Sequence, residues 1–574
     1  RLLENGANSS FINQYLSNEI PVSDLSFNPA AKIQEQLDQK NLSNLPLPCE
    51  IYLPRQNSNG LDFSEPEFIN SIAKHLEVLE KNRITALAIT SLELGSTNKS
   101  DILSLCDESN IGVVHWSDPD SIHHSSFQIS TEWMNASFDQ RAAVLNDVAN
   151  SLESQSWQFI YLLMHEAGKT IQDAHDEIRE AVDFLRYYAN RSTLFNSQST
   201  QSGPTGEDNI LEYCPKGLVA CISPWNFPLA ITLGQIAAAL VTGNTVIAKA
   251  SEETSLIAFK AAGLFFNHGL PKDALHLLLG DGRVGQAIIT SQALDLVVFT
   301  GSLKTAKSIH NSLSNKPGKI VPLIAETGGL NSMVVDSSAL IERACDDIMR
   351  SAFNSAGQRC SALRLLLVHE TIYEELILML KGMMSELIIG NPSNSSVDMG
   401  PIISVEAAQE LYDYINRSDP ERLAIFQPQA PDEHRKQWFL PTLIELKSIN
   451  TLNEEKFGPI LHVLKFSEKT LDSQLEQITA KGFGLTFGIH TRIDAKAIHA
   501  SKLVSAGNTY INRDIIGAVV ESQPFGGKNL SGTGFKAGGP NYLMQFTDER
   551  TISINTVAIG GNAELLNQAS EDAP

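Results

Sequence analysis

The stretch GLVACISPWNFPLAITLGQIAAALVTGNTVIAKA, residues 217–250, decides the architecture. From Gly217 to Ala248 it carries no charged side chain, which is long enough to cross a bilayer. Pro224, Asn226 and Pro228 break the run, and Gly243–Asn244 turns the chain before VIAKA. Proline removes an amide that a helix needs, and Gly with Asn marks a turn. The stretch therefore reads as strand, polar turn, buried helix, strand.

The alternation continues outward. ALHLLLG (274–280) and LDLVVFTGS (294–302) are further strand candidates, with helical patterns between them. This predicts βαβ units around a covered parallel sheet. A second α/β series runs from SMVVDSS (332–338) through LRLLLVHE (363–370) and FGLTFGIHT (483–491) to GNTYINR (507–513). Upstream, FDQRAAVLNDVANSLES (138–154) and DEIREAVDFLRYYA (176–189) have helical spacing, with Ile178, Val182, Leu185 and Ala189 on one face. Residues 1 to 79 are rich in Asn, Ser, Pro and Gln, with short helical segments such as INQYLSN and AKIQEQLDQK, and read as a connecting region. TISINTVAIGG (551–561) is a late strand, and NAELLNQASEDAP should fray.

Composition bounds the function. The 574 residues are 42% hydrophobic and 19% charged, a globular balance. With 43 Lys+Arg against 66 Asp+Glu, the formal charge is -23. That field repels phosphate backbones and anionic lipid, so no nucleic-acid binding by this segment is expected. Six cysteines, without a CxxC pair or zinc-site spacing, suit a reducing cytoplasm and predict no metal. The start, RLLENGANSS, has neither a basic segment nor an apolar core, so no signal peptide is expected. It also lacks an initiator Met, and a piece of a longer chain is expected.

Several short motifs carry chemistry. SAGQRCSALR sets Cys360 among small neighbours, which a nucleophilic thiol needs for approach. AETGGLN places Glu326 beside Gly328–Gly329, where a general base has room to swing. SPWNFPLA places Asn226 between Trp225 and Phe227, with an amide suited to a developing oxyanion. KASEET puts Lys249 and Glu252 just past a strand, positioned to grip ribose hydroxyls. EEKFGP supplies Glu455 and Phe457 for a ribose and an aromatic ring. GDGRVG (280–285) matches GxGxxG, but no acid follows at the distance a standard dinucleotide fingerprint requires. Each motif also has a bland reading, as inert thiol, surface acid, turn or cap.

Their joint order resembles the aldehyde dehydrogenase superfamily. The intervals agree: 23 residues separate Asn226 from Lys249, and 34 separate Glu326 from Cys360. The resemblance runs from about residue 80 to 560. It implies an α/β fold: a Rossmann-like NAD-binding domain (80–190 and 213–327), a catalytic α/β domain (328–530) and a β-hairpin oligomerisation arm (191–212 and 546–562). It implies Cys360 as nucleophile, Glu326 as base and Asn226 as oxyanion donor. NAD would be held by Ile222, Trp225, Lys249, Glu252, Gly282, Gly301, Ser302, Glu455 and Phe457. Ala306 stands where many relatives have a second glycine near the pyrophosphate.

GAVVESQPFGGKNLSGTGFKAGGPNYL (517–543), with ETGG and RCSALR, resembles the glutamate-semialdehyde (pyrroline-5-carboxylate) dehydrogenase branch. That implies Ser361 and the backbone at Gly517–Ala518 for the substrate carboxylate. Phe227 and Phe525 would take the aliphatic part, and Glu166 the ammonium. RLLENGANSSFI is similar to the last helix of the proline dehydrogenase barrel in bifunctional proline utilisation A proteins, with Arg1 matching one of its carboxylate-binding arginines. The rest of that barrel and its FAD would lie outside this chain, in cis in the full protein. A homo-oligomer, a dimer first, is implied. The rivals are a CoA-acylating aldehyde dehydrogenase, which Glu326 disfavours, and an inactive scaffold that works through its arm.

Overall fold

The computed structural model describes residues 28–38, 46–63, 65, 83–195, 199–430, 435–556 and 558. Arg1, the segments RLLENGANSSFI and INQYLSN, and the tail NAELLNQASEDAP lie outside them. The chain divides into two compact units, residues 1–56 and 57–574. In the first, AKIQEQLDQK supplies most of the helix Pro29–Asp38, and a short 3-10 turn spans Pro48–Glu50.

The second unit contains the long apolar stretch, folded as its breaks demand. Strand β1 is Leu218–Ile222 and β2 is Thr245–Lys249. β3 is Leu275–Leu278, β4 Leu296–Gly301 and β5 Leu323–Thr327. They form one parallel sheet in the order β5-β4-β1-β2-β3. β1, β2 and β3 are buried at every position, which is why their sequences are continuous apolar runs without alternation. Helices cover the sheet: α1 (Ser156–Ala167), α2 (Ile171–Arg191), α3 (Ala230–Val241), α4 (Ser255–Asn267), α5 (Gly282–Ser291) and α6 (Leu303–Asn315). Strand order reverses between β1 and β4, and in sheets of this type a crevice opens there beyond the carboxyl ends.

Helices α3 and α4 begin without a side-chain cap of their own. Glu177 on α2 accepts from the Leu229 and Ala230 amides at 2.8 and 3.1 Å. Glu166 on α1 accepts from the Leu256 and Ile257 amides at 2.7 and 2.9 Å. Two carboxyl groups distant in sequence thus serve the amides that each helix start leaves open.

A seven-stranded sheet follows. β6 (Ser332–Val335), β7 (Leu365–His369), β8 (Arg422–Phe426) and β9 (Thr442–Leu446) lead to β10 (Ile460–Phe466), β11 (Thr486–His490) and β12 (Asn508–Ile511). Their order is β8-β9-β10-β7-β6-β11-β12, and only β8 runs antiparallel to its neighbour. Helix α7 (Ile341–Phe353) leads into the turn before Cys360. Glu207–Pro215 pairs along its whole length with Thr547–Asn555, and Ser199–Gln201 adds a third strand to this separate ribbon. A small sheet of Ile84–Ala86, Asn110–Ser117 and Ser96–Leu103 precedes the helices, where the sequence announced no strands. Among the described residues no helix is long and apolar enough to cross a membrane. The 217–248 run is divided as expected between two strands, a turn and α3.

Candidate active site

A cleft of about 650 Å³ lies at the strand-order reversal and reaches the thiol loop before β7 and the segment after β12 of the seven-stranded sheet. The loop after β1 brings Trp225, Asn226 and Phe227 to it; the end of β4 brings Gly301 and Ser302. Cys360 and Ser361, Glu326 from β5, and Glu455 and Phe457 face the same space, as do Gly517, Ala518 and Phe525. The motifs around Asn226, Glu326, Cys360 and Glu455, read separately from the sequence, therefore converge on one cavity.

Cys360 stands on a loop of unusual backbone. Ser355 and Ala356 both have φ 53°, and Gly357 has φ 65°. Such left-handed runs are costly for side-chain-bearing residues and cluster at functional sites. Gly357 is required by contact as well, since a Cβ there would lie 2.4 Å from the Gly458 carbonyl. Asn331 clamps the far side by donating to the Cys360 and Ala362 carbonyls at 2.6 and 2.9 Å. Asn226 Nδ2 donates to the Gln358 carbonyl at 3.1 Å, which aims its amide at the thiol loop. Burial, with the Glu455, Glu326 and Glu180 carboxyls around it, pushes the Cys360 thiol up to about 12.

Glu326 does not lie over Gly328–Gly329. Its Oε2 accepts from the Gly527 amide at 2.9 Å. A Cβ on Gly526 or Gly532 would come within 2.9 and 2.8 Å of its oxygens. The glycine cradle thus comes from the 517–543 segment. Burial raises the carboxyl to about 8, against the Gly527 amide and the nearby Lys536 ammonium. Gly328 instead makes room for Glu455, whose Oε2 would be 1.7 Å from a Cβ there. Glu455 pairs with the fully buried Arg364 at 3.1 Å, and burial raises its carboxyl despite that partner.

Phe227 lies under the Lys169 ammonium, 4.0 Å from its ring centre, with the Arg359 guanidinium at 5.3 Å. Trp225 and Phe457 meet edge to face at 5.6 Å. Phe525 is pinned by paired hydrogen bonds with Ala537, both 2.9 Å. Gly517, at φ 66°, has open space where a Cβ would point.

Glu166 is a correction. It was expected at the substrate ammonium, but it is buried and both its oxygens serve the start of α4. The helix acid that lines the cleft in its place is Glu180, with Phe184 and Tyr188 one and two turns further along α2. Burial and the Glu177 charge raise Glu180 to about 7. The sequence did carry a signal: an acid in register with two aromatics on a helix that is buried on nearly every side. Arg364, Asn331 and Glu180 were missed because each acts across the fold.

Ile222, Lys249, Glu252 and Gly282 lie outside the cleft lining, at the carboxyl edge of β1–β3. Ile222 and Lys249 are ladder neighbours, and Lys249 pairs with Glu252 at 3.0 Å. Gly282 opens α5, with Asp281 capping it and sensing the Lys249 charge. Ser302 caps α6 by accepting from the Thr305 amide at 3.2 Å. Ala306 is buried in the core, so its methyl faces the sheet. This donor set fits a dinucleotide: Glu252 is a partly exposed carboxylate for ribose hydroxyls, and a helix start favours phosphate. Among the described residues no acid, His and Cys group could hold a metal ion.

The cleft, its thiol loop and the two α/β sheets define a class, and the aldehyde dehydrogenase family model matches residues 96–552. The chain belongs to the aldehyde dehydrogenase family. Bifunctional protein PutA of Klebsiella aerogenes is 39% identical over 96% of this chain and 42% of its own length. 1-Pyrroline-5-carboxylate dehydrogenase 1 of Halalkalibacterium halodurans is 33% identical over 73% of this chain and 82% of its own. A crystal structure of bifunctional proline utilization A (PutA) protein superposes with TM-score 0.84 at 42% identity, covering 98% of this chain and 54% of that one. The chain spans less than half the length of the bifunctional PutA sequence from Klebsiella.

Proposed function

We propose that this chain oxidises L-glutamate γ-semialdehyde, the open form of pyrroline-5-carboxylate, to L-glutamate with NAD, as a step of proline breakdown. The observation that carries the reading is a cleft in which the Cys360 thiol, the Asn226 amide and the elevated Glu326 carboxyl face a space flanked by a dinucleotide-type edge. The 33% identity to a 1-pyrroline-5-carboxylate dehydrogenase supports the substrate.

Cys360, as thiolate, attacks the aldehyde carbon. Asn226 Nδ2 and the Cys360 backbone N–H hold the oxyanion, one such donor being worth about 3–4 kcal/mol. The dinucleotide, when bound, supplies the hydride acceptor that leaves an acyl thioester on Cys360. Glu326 takes a proton from water, and the water frees glutamate and restores the thiol. Ser361 and the Gly517–Ala518 backbone hold the α-carboxylate without a cation. Glu180 receives the ammonium, and Phe227 with Phe525 flanks the chain between.

Lys249 and Glu252 hold the adenosine ribose, Ser302 and the start of α6 the pyrophosphate, Gly282 the adenine side, and Glu455 with Phe457 the nicotinamide side. Glu252 repels a 2′-phosphate, so NAD is taken over NADP. Residues 80–190 with 213–327 act as the cofactor domain and residues 328–530 as the catalytic domain. The Glu207–Pro215/Thr547–Asn555 ribbon joins two copies in a cytoplasmic dimer, and the full protein carries a proline dehydrogenase domain in cis.

The test is NADH absorbance with the semialdehyde, with and without CoA. NADH and free glutamate without CoA are expected. Strict dependence on CoA would install the acylating reading, and no NADH at all the scaffold reading.

A further inference from the structure

Gln235 stands on α3, is only 3% exposed, and lines the cleft without a part in the steps above. Its Nε2 donates to the Thr300 hydroxyl at 3.0 Å. Its Oε1 is buried and has no hydrogen-bond partner. A buried acceptor left open is costly and calls for an explanation. Thr300 complements it. The hydroxyl accepts from Gln235, and its own proton meets no acceptor among the described residues. The two side chains thus offer the cleft one acceptor and one donor side by side. A planar carboxamide carries the matching pair, an N–H and a carbonyl oxygen.

The pair also stands in the right part of the cleft. On one side, Thr300 runs directly into Gly301 and Ser302, where α6 begins and where the pyrophosphate is assigned. On the other, Thr300 is the ladder partner of Glu326, the assigned base, on the adjacent strand β5. A dinucleotide anchored at the start of α6, with its ring directed toward Cys360, brings that ring past Gln235. We propose that Gln235 is a cofactor-binding residue whose Oε1 accepts from the nicotinamide carboxamide N–H, while the Thr300 hydroxyl donates to the carboxamide oxygen. This deepens the dinucleotide reading and rests on it. The contact sets the rotation of the ring about its glycosidic bond, and so which face of the ring meets the substrate. Water is the competing occupant of Oε1, but a water would not distinguish one ring substituent from another.

The test titrates the 574-residue chain with NAD, 3-acetylpyridine adenine dinucleotide and ADP-ribose and follows tryptophan fluorescence, Trp225 being in the cleft wall. The acetylpyridine ring keeps the carbonyl but has a methyl in place of the amide nitrogen, so it cannot donate to Oε1. The wild type should bind NAD about tenfold more tightly than this analogue, which leaves the acceptor buried and open. Gln235→Leu should abolish that preference and leave the affinity for ADP-ribose, which has no ring, unchanged. Gln235→Met, close to glutamine in length, repeats the measurement if the leucine variant fails to bind ADP-ribose. Equal weakening of NAD and the analogue in the variant overturns the inference and assigns Gln235 to a bound water or to packing. A wild type that binds NAD and the analogue equally overturns it as well, even if NADH production is intact. If the wild type binds none of the three, the dinucleotide reading itself fails and takes the inference with it.

Discussion

Replacing Glu326 by Gln keeps the shape of the side chain in its glycine cradle and removes its basicity. In its proposed role as hydrolytic base, Glu326 must be ionised, and burial raises its carboxyl to about 8. It is then about one-tenth ionised at pH 7 and about nine-tenths ionised at pH 9. Steady-state turnover should therefore rise about tenfold between those two values, because a base works only after losing its proton. Removing a general base costs about 10²–10⁴ in rate. Rapid mixing separates the steps, since NADH forms before the thioester is hydrolysed. Glu326→Gln should give a burst of about one NADH per site and then a steady rate lower by that factor, without the rise toward pH 9. A wild-type steady state that is flat from pH 7 to 9, or a variant with normal turnover, would refute the assignment.

Asn226→Ala should lower kcat by about 10²–10³ through loss of an oxyanion donor while leaving dinucleotide affinity, measured by fluorescence titration, unchanged. Equal losses in both would make Asn226 a structural link to Gln358 only. Glu180→Gln should raise KM for the semialdehyde and leave propanal, which has no ammonium, unaffected; a matching rise for propanal would assign Glu180 to packing. Glu166→Ala should cost about 1–3 kcal/mol of stability by stranding two helix amides. Thermal unfolding measures that cost, and KM should stay constant; a raised KM at unchanged Tm would return Glu166 to the substrate.

Four strands of the five-stranded sheet, β1 to β4, were legible because they are largely buried and written as apolar runs between turns; β5, with Leu323 and Glu326 only half-buried, was not announced. The motif residues were legible for a similar reason: Asn226 and Cys360 on short loops, and Glu326 near the end of β5, sit among glycine, proline and small side chains whose backbone demands show in the sequence. The strands at 84–117 alternate too weakly, with β-bulges and an exposed edge, to stand out. Glu166 and Glu180 were exchanged because both are acids on helices, and only packing decides which one points at the cleft. The cradle of Glu326 lies some two hundred residues downstream, so the nearby Gly328–Gly329 looked like the answer. Arg364 was invisible for the same reason, being ninety-one residues from its partner Glu455 and five from the Arg359 carbonyl it also holds.

The acids that finish α3 and α4 have a consequence for engineering. A piece cut to hold only the β1–α3–β2–α4 portion would retain every residue of the strand-and-helix repeat but strand the amides of Leu229, Ala230, Leu256 and Ile257. Each would stand at a helix beginning with nothing of its own to satisfy it. The half of the molecule suited to a nucleotide is therefore not a transplantable module, and a graft would have to carry α1 and α2 along or supply new caps at Leu229 and Thr254.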